Sequence, residues 1–194
     1  MASAGTFTDS GQTLGTADSR EVVLGDVDGD GDLDAMFANG NQPNVVWLNN
    51  GSGIFTDSGQ TLGTANSFGV VFGDVDGDGD LDAMVTNASQ ANVVWLNNGS
   101  GTFTDSGQTL GTANSRGVVF GDVDGDGDLD AMSANWTTNV VWLNNGSGTF
   151  TDSGQTLGTA DSRGVAFGDV DGVGDLDAMV TNAPSEPNVV WLNN

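Results

Sequence analysis

The chain has no cysteine, histidine, lysine or tyrosine among its 194 residues, and three arginines are its only basic residues. Without cysteine it can form neither a disulfide nor a thiolate zinc site, and it has no thiol nucleophile. Without histidine, lysine and tyrosine, most general bases and nucleophiles of enzymes are missing as well. The composition therefore predicts a protein that is not an enzyme, and a bound metal ion acting as a Lewis acid is the one catalytic route left open.

Positive charge is scarce, because 27 acidic residues face three basic ones and the formal net charge is −24. This balance argues against nucleic acid as a partner, since phosphate binding requires a basic surface. It argues against an anionic membrane surface for the same reason, and no stretch has the pattern of a signal peptide or a transmembrane helix. Multivalent cations are the partners that so many carboxylates favour.

An internal repeat accounts for nearly the whole sequence. Equivalent acidic stretches begin at Asp26, Asp74, Asp122 and Asp169, so successive copies are 48, 48 and 47 residues apart. Each copy contains four segments with the composition of β-strands, separated by glycine, asparagine, serine and aspartate. No window shows the periodicity of an amphipathic helix.

The four segments of the first copy cover residues 21–27, 33–39, 44–50 and 54–62. The second and third are apolar on both faces, which indicates strands covered on both sides, as in sheets stacked around an axis. The fourth is more polar and suits an outer edge strand. Four strands in a period of this length are typical of a β-propeller blade. The sequence thus predicts an all-β fold, a β-propeller of four-stranded antiparallel blades with four blades per chain.

The chain begins and ends at different points of the repeat. Residues 5–14 are a fourth segment without the first three, and residues 162–194 contain three segments without a fourth. We therefore expect the N-terminal strand 5–14 to complete the blade begun by residues 162–194, a shared blade that closes a ring. Residues 1–194 then form a single propeller domain, or half of one.

Each acidic stretch follows the spacing D-x-D-x-D-G-x-x-D, as in GDVDGDGDLD at 25–34. Carboxylates at loop positions 1, 3 and 5 surround one point, glycine at position 6 permits a sharp turn, and position 9 closes the shell. Position 7 usually contributes its backbone carbonyl. Five carboxylates within nine residues repel one another unless a cation lies among them, so a merely solvated acidic turn is disfavoured. The predicted Ca²⁺-binding residues are Asp26, Asp28, Asp30, Asp32, Asp34, Asp74, Asp76, Asp78, Asp80, Asp82, Asp122, Asp124, Asp126, Asp128, Asp130, Asp169, Asp171, Asp175 and Asp177.

The fourth loop, GDVDGVGDLD at 168–177, has Val173 at position 5 where the other three have aspartate. It keeps four carboxylates, so we expect this site to bind Ca²⁺ more weakly or to complete its shell with water. An EF-hand is excluded for all four loops, because it requires flanking helices and a glutamate at position 12. Position 12 is occupied here by Phe37, Val85, Ser133 and Val180.

The pairs Phe72-Gly73, Phe120-Gly121 and Phe167-Gly168, each followed by D-V-D-G, resemble the FG-GAP repeat and its bacterial VCBS-like relatives. The same repeat builds the propeller of integrin α subunits. The resemblance extends from about residue 5 to residue 194, with Leu24-Gly25 as a mild departure. It implies Ca²⁺ in the loop between the first and second strands of each blade, held by carboxylates at positions 1, 3, 5 and 9 and by the carbonyl of position 7.

The family that the sequence resembles usually has seven blades and sometimes eight, whereas this chain has four. We expect two chains to form an eight-bladed ring as a homodimer, each supplying its first strand to the last blade of the other. A four-bladed ring closed by one chain is the alternative.

Two groups of residues are candidates for ligand binding. The loops between second and third strands differ between copies, and Trp136 in one of them is an aromatic residue outside the repeat pattern that could stack on a sugar. Arg20, Arg116 and Arg163 share one phase of the repeat and could attract an anion. Pairing with aspartates such as Asp18 or Asp161 is the favoured alternative for the arginines. The recurring tryptophans are expected to pack between blades, and they are Trp47, Trp95, Trp142 and Trp191.

These features together predict a non-enzymatic, Ca²⁺-stabilised propeller repeat module that binds a glycan or a protein. Loops of this kind suit the calcium concentrations outside cells, so we expect an extracellular or secreted protein. The alternative is a purely structural or engineered repeat scaffold that self-assembles and has no ligand beyond Ca²⁺.

Overall fold

The computed structural model of the chain describes residues 5–194, and this part contains fifteen β-strands and no helix that could cross a membrane. The strands are β1 (Ser19–Gly25), β2 (Asp34–Asn39), β3 (Val45–Asn49), β4 (Phe55–Asp57), β5 (Ser67–Gly73), β6 (Asp82–Asn87), β7 (Val93–Asn97), β8 (Phe103–Asp105), β9 (Ser115–Gly121), β10 (Asp130–Asn135), β11 (Val140–Asn144), β12 (Phe150–Asp152), β13 (Ser162–Gly168), β14 (Asp177–Asn182) and β15 (Val189–Trp191). The all-β class predicted from the repeat pattern is confirmed.

The strands form four antiparallel sheets in which neighbours in sequence are neighbours in space. Three sheets have four strands, β1 to β4, β5 to β8 and β9 to β12, and the last has three, β13 to β15. In each sheet the second strand lies between the first and the third, and these central strands are the apolar segments whose two faces were expected to be covered. Their methionines Met36, Met84 and Met132 are fully buried.

The fourth strands are shorter than the predicted segment 54–62. Strand β4 ends at Asp57, because the chain turns at Gly59, which has a φ of 75° and donates its N–H to the Asp57 carboxylate at 2.8 Å. The chain then returns to the sheet, where Leu62 pairs with Asn44. Thr56 and Asp57 are exposed, as an outer edge strand requires.

The sheets stack face to face in chain order. The innermost strands contact each other in the series β1 with β5, β5 with β9, and β9 with β13, and an apolar cluster lies between each two successive sheets. No comparable contact joins β1 to β13 within the described residues, so the four sheets of one chain form an open row. Stacked antiparallel sheets of this kind are consistent with the blades of a β-propeller.

Residues 5–14 form no strand in the single chain. The completion of the sheet β13 to β15 by this segment therefore stays a prediction. Residues 1–4 lie outside the described part of the chain.

The glycine that ends the first strand allows the next sheet to approach closely in each of the first three sheets. A Cβ on Gly73 would lie 2.8 Å from both the Phe120 ring and the Leu129 side chain, and Gly25 and Gly121 have equivalent neighbours. A Cβ on Gly168 would meet nothing within 4 Å, because Gly168 belongs to the last sheet and no further sheet packs against it.

We expect Gly73→Ala to lower the free energy of unfolding by about 1–3 kcal/mol, because the added methyl group overpacks the contact with Phe120 and Leu129. Urea unfolding in dilute solution measures the change. The matched control is Gly168→Ala, for which we expect a change within about 0.5 kcal/mol. Equal effects of the two substitutions would contradict this account of sheet spacing.

Candidate metal centres

The acidic loops connect the first strand of each sheet to the second, and their aspartates accept hydrogen bonds from their own backbone. In the first loop, Asp26 accepts from Gly29 N and from Gly31 N, each at 2.9 Å. Gly31 has a φ of 92°, in the left-handed region that side chains other than glycine rarely adopt. The sharp turn predicted for loop position 6 is therefore present, and the carboxylate at position 1 lies at its centre.

The aspartate at position 9 fastens the loop to the sheet. Asp34 is fully buried at the start of β2. Its two carboxylate oxygens accept hydrogen bonds from Val27 N at 3.0 Å and from Asn49 N at 2.8 Å. Asp82, Asp130 and Asp177 repeat both hydrogen bonds with the corresponding partners. Position 9 thus joins the loop, the second strand and the third strand of one sheet.

Burial and the neighbouring carboxylates make these loops electrostatically unfavourable. Burial raises the pKa of Asp82 to about 6, against the two backbone hydrogen bonds that lower it, and burial likewise raises the pKa of Asp130. The pKa of Asp28 is raised by burial first and then by repulsion from Asp34. In the last sheet, which no further sheet covers, hydrogen bonds from Val170 N and Asn193 N lower the pKa of the equivalent Asp177.

Three carboxylates of each loop converge on one point, with ligand oxygens within 4.8 Å of one another. In the first, third and fourth loops they come from positions 1, 3 and 9, and in the second loop from positions 1, 3 and 5. The clusters are Asp26, Asp28 and Asp34; Asp74, Asp76 and Asp78; Asp122, Asp124 and Asp130; and Asp169, Asp171 and Asp177. Carboxylate oxygens are the ligands that Ca²⁺ prefers, so the residues fit such an ion.

Position 7 is outside these clusters in all four loops. The carboxylate of Asp32 lies against Gly51 of the connection between the third and fourth strands, so close that a Cβ there would collide with it. Asp80 and Asp128 contact Gly99 and Gly146 in the same way. This orientation is compatible with the backbone role that the family resemblance implies for position 7. The predicted ligands that these clusters leave out are Asp30, Asp32, Asp80, Asp82, Asp126, Asp128 and Asp175.

The fourth loop keeps its conformation despite the substitution at position 5. Val173 N donates to the Asp171 carboxylate at 3.2 Å, as Asp30 N donates to Asp28 at 3.3 Å in the first loop. The Val173 side chain is exposed. The substitution thus removes one carboxylate and leaves the turn intact.

Each of the first three loops is also joined to the sheet that follows it. The carbonyl oxygen of Val27 at position 2 accepts a hydrogen bond from Asn97 Nδ2 and another from Gly101 N, both at 2.8 Å. Val75 receives the same two bonds from Asn144 and Gly148, and Val123 receives one from Asn193 at 2.7 Å. Sequence reasoning missed these asparagines, although asparagine stands at this position in every copy of WLNN.

The candidate ligand residues occupy the face opposite the acidic loops. Phe68, Arg116 and Trp136 line a cavity of about 270 Å³, in which the Arg116 guanidinium lies 5.3 Å from the centre of the Trp136 ring and 5.6 Å from that of Phe68. The guanidinium of Arg20 also contacts Phe68 and lies 3.9 Å from the ring centre. Trp136 is half exposed, and sequence reasoning did not connect it to Phe68.

The arginines pair with aspartates, as the favoured alternative expected. Arg20 lies 3.3 Å from Asp18, and Asp161 pairs with Arg163 at 3.0 Å and with Arg116 at 3.6 Å. Trp95 and Trp142 are buried between sheets as expected, and Trp191 packs against the cluster between the last two sheets. Trp47 in the first sheet is half-buried and belongs to no such cluster. Each of the four tryptophans covers a glycine of the preceding connection.

The family model described as the FG-GAP-like repeat matches residues 26–85, 74–133 and 122–180, which together span most of the chain. With its row of propeller blades and this repeat, the chain belongs to the FG-GAP-like repeat family.

Among solved structures, the chain is similar to a lectin of Agrocybe aegerita that is described as recognising non-reducing terminal N-acetylglucosamine. The two are 24% identical, the match covers 88% of this chain and 51% of the lectin chain, and the TM-score is 0.49. The chain thus spans about half the length of that structure. No curated protein matches the chain.

We expect Asp82→Ala to lower the free energy of unfolding by about 1–3 kcal/mol even in the presence of EGTA. The substitution leaves the buried Val75 N and Asn97 N without acceptors. Asp78→Ala in the same loop is the control, because Asp78 is exposed and we expect a smaller loss without metal. Chemical unfolding of both variants in chelator measures the difference. Equal losses of unfolding free energy in the two variants would contradict the structural role assigned to position 9.

Proposed function

We propose that this chain is a non-enzymatic, calcium-binding β-propeller repeat module in which the ions stabilise the contacts between neighbouring blades. The observation that supports it best is the convergence of three carboxylates in each of the four loops. Ca²⁺ suits this donor set better than Mg²⁺, because Ca²⁺ accepts six to eight oxygens in flexible geometry whereas Mg²⁺ requires a near-ideal octahedron.

The connection between loop and neighbouring blade supports a stabilising role for the ion. Carboxylates at positions 1 and 3 flank Val27, whose carbonyl receives the hydrogen bonds of Asn97 and Gly101 from the next blade. An ion held by those carboxylates offsets their repulsion and orders this segment. Binding energy at the loop therefore acts on the interface between two blades.

We place the module outside the cell, where calcium is abundant enough to fill weak loop sites. We further propose that two chains assemble into an eight-bladed ring, because the two end blades of one chain each leave one apolar face uncovered.

A glycan or a protein segment is the proposed ligand of the cavity formed by Phe68, Arg116 and Trp136. A half-exposed aromatic ring and a guanidinium that line the same cavity suit a sugar ring and its polar groups. Asn66 also lines this cavity, and its buried Oδ1 has no hydrogen-bond partner among the described residues. The alternative is a structural repeat scaffold without a ligand beyond Ca²⁺.

Calcium titration tests the first proposal. We expect Ca²⁺ to bind the EGTA-treated chain and to raise its unfolding temperature, since a ligand that binds only the folded state stabilises it. Val173→Asp should tighten binding at one site by about tenfold, because it restores a carboxylate to a loop that already has the required turn. Isothermal calorimetry and thermal unfolding measure both effects. Identical unfolding with Ca²⁺ and with EGTA would contradict the proposal.

Glycan-array screening tests the ligand proposal. We expect binding to at least one glycan by the native chain and loss of at least about tenfold in affinity for Trp136→Ala, because a stacking ring is removed. The half-exposed Trp136 makes this variant stable enough to compare. Ile54→Ala, at an exposed position in the connection between β3 and β4, is the control that should keep binding. Absence of binding across broad glycan and peptide arrays would favour the scaffold alternative.

A further inference from the structure

A cavity of about 420 Å³ lies between the third blade and the incomplete fourth blade. It is lined by Phe167, Leu143, Gln155 and Trp191 among others. The equivalent spaces between earlier blades are filled by a phenylalanine of the fourth strand. Phe103 stacks on Phe72, and Phe150 stacks on Phe120, each with ring centres 6.2 Å apart. The side chain missing beside Phe167 is therefore a phenylalanine.

The chain contains a matching segment whose phenylalanine is not buried. Residues 5–14 read GTFTDSGQTL, identical to residues 101–110 and 148–157 that form the filled positions. Phe7 of this segment corresponds to Phe103 and Phe150, which are 6% exposed, yet Phe7 itself is completely exposed. A single chain thus has both an empty cavity and an unburied side chain of the required shape.

Within the segment 5–14, Gln12 already makes the contacts that Gln60 and Gln108 make with the blade that follows them. Gln12 Nε2 donates to Gly53 O at 2.6 Å, and Phe55 N donates to Gln12 Oε1 at 2.9 Å. The same two hydrogen bonds join Gln60 to Gly101 and Phe103, and Gln108 to Gly148 and Phe150. Gln12 therefore contacts the first blade as the glutamine that follows the fourth strand of a preceding blade would, although this chain contributes no inner strands there.

The uncovered faces of the first and last blades correspond to faces that are covered between the internal blades. The first blade exposes Val22, Leu24 and Leu33, and the last blade exposes Met179 and Val190. Val70, Met36 and Val46, the counterparts of Val22, Met179 and Val190, are buried. Phe72 and Leu81, the counterparts of Leu24 and Leu33, are half-buried. Exposed apolar surface of this extent is typical of an interaction site.

We propose that residues 5–14 of a second copy complete the sheet β13 to β15, with Phe7 of that copy inserted beside Phe167. This inference rests on the proposed eight-bladed ring and identifies the residue that anchors it. The contact is head to tail, and such contacts close into a ring when the rotation completes a turn. Two copies exchange two identical segments, so each ring has two Phe7 anchors.

The cross-chain hydrogen bonds follow from the same equivalence. Gln155 corresponds to Gln60 and Gln108, but its side chain has no comparable partner among the described residues. In the assembly it donates to Gly5 O and accepts from Phe7 N of the second copy. The register of the completed sheet also follows, because Leu96 pairs with Thr104 and Leu143 with Thr151, so Leu192 pairs with Thr8 of the second copy.

Sedimentation equilibrium of the calcium-loaded chain tests the anchor. We expect the native chain to have the mass of two copies and Phe7→Ala to raise the dissociation constant at least about hundredfold, because a phenylalanine is lost from a buried site. Thr8→Ala is the matched control, since the corresponding Thr104 and Thr151 stay exposed in completed blades. Circular dichroism of each variant confirms that the exposed substitutions leave the fold intact.

Engineered cysteines distinguish the sources of the segment, because the chain has no cysteine of its own. We expect the double variant Thr8→Cys/Leu192→Cys to form a disulfide between two chains, since directly opposed strand residues lie within the range of disulfide geometry. The control Thr104→Cys/Leu96→Cys should form its disulfide within one chain. Non-reducing electrophoresis separates the two products.

Four outcomes of these experiments would contradict parts of the proposal. A native chain that is monomeric at every concentration overturns both the ring and the anchor. A disulfide that forms within one chain of the Thr8→Cys/Leu192→Cys variant overturns exchange between copies. Open polymers overturn ring closure. A native dimer that Phe7→Ala leaves unchanged overturns the anchor alone, and the ring then depends on another contact. Calcium binding measured on the same samples is independent of all four results.

Discussion

Repulsion between carboxylates in the acidic loops is the constraint on which the rest of the structure depends. Nineteen of the chain's 25 aspartates lie in these four loops. In each loop, carboxylate oxygens of three aspartates lie within 4.8 Å of one another. The backbone offsets part of this repulsion through hydrogen bonds to Asp26 and Asp34, and the glycine turns make those bonds possible. Because Asp34 also joins β2 to β3, the same charges that would push the loop apart hold the sheet together.

The acidic loops also take part in the contact between neighbouring blades. The carbonyl of Val27 receives two hydrogen bonds from a blade that lies about seventy residues further along the chain. Blade stacking and loop conformation therefore form one cooperative unit. Val173 shows how far the unit tolerates change, because the fourth loop retains its turn and its convergent cluster without the carboxylate at position 5.

The repeat period and the strand composition were sufficient to predict an all-β fold of four units, and the loop spacing was sufficient to predict convergent aspartates. Sequence reasoning failed where a residue's role depends on another repeat. The links of Asn97 and Asn144 to the preceding loops join residues about seventy positions apart, and no local pattern contains them. The orientation of Asp32 could not be predicted either, because the Asp32 carboxylate lies in the space left by the missing side chain of Gly51. Similarly, the cavity between Phe68 and Trp136 arises only when two blades meet.

The close approach at the Phe-Gly glycines has an evolutionary consequence. Each blade meets the next through the same small set of contacts, in which Gly73 faces Phe120 as Gly121 faces Phe167. Duplication or deletion of one whole unit would therefore reproduce every local contact and alter only the circumference of the assembly. In such a family the number of blades is set by the angle between neighbouring blades. Gene duplication can therefore change the number of blades while every interface between blades stays the same.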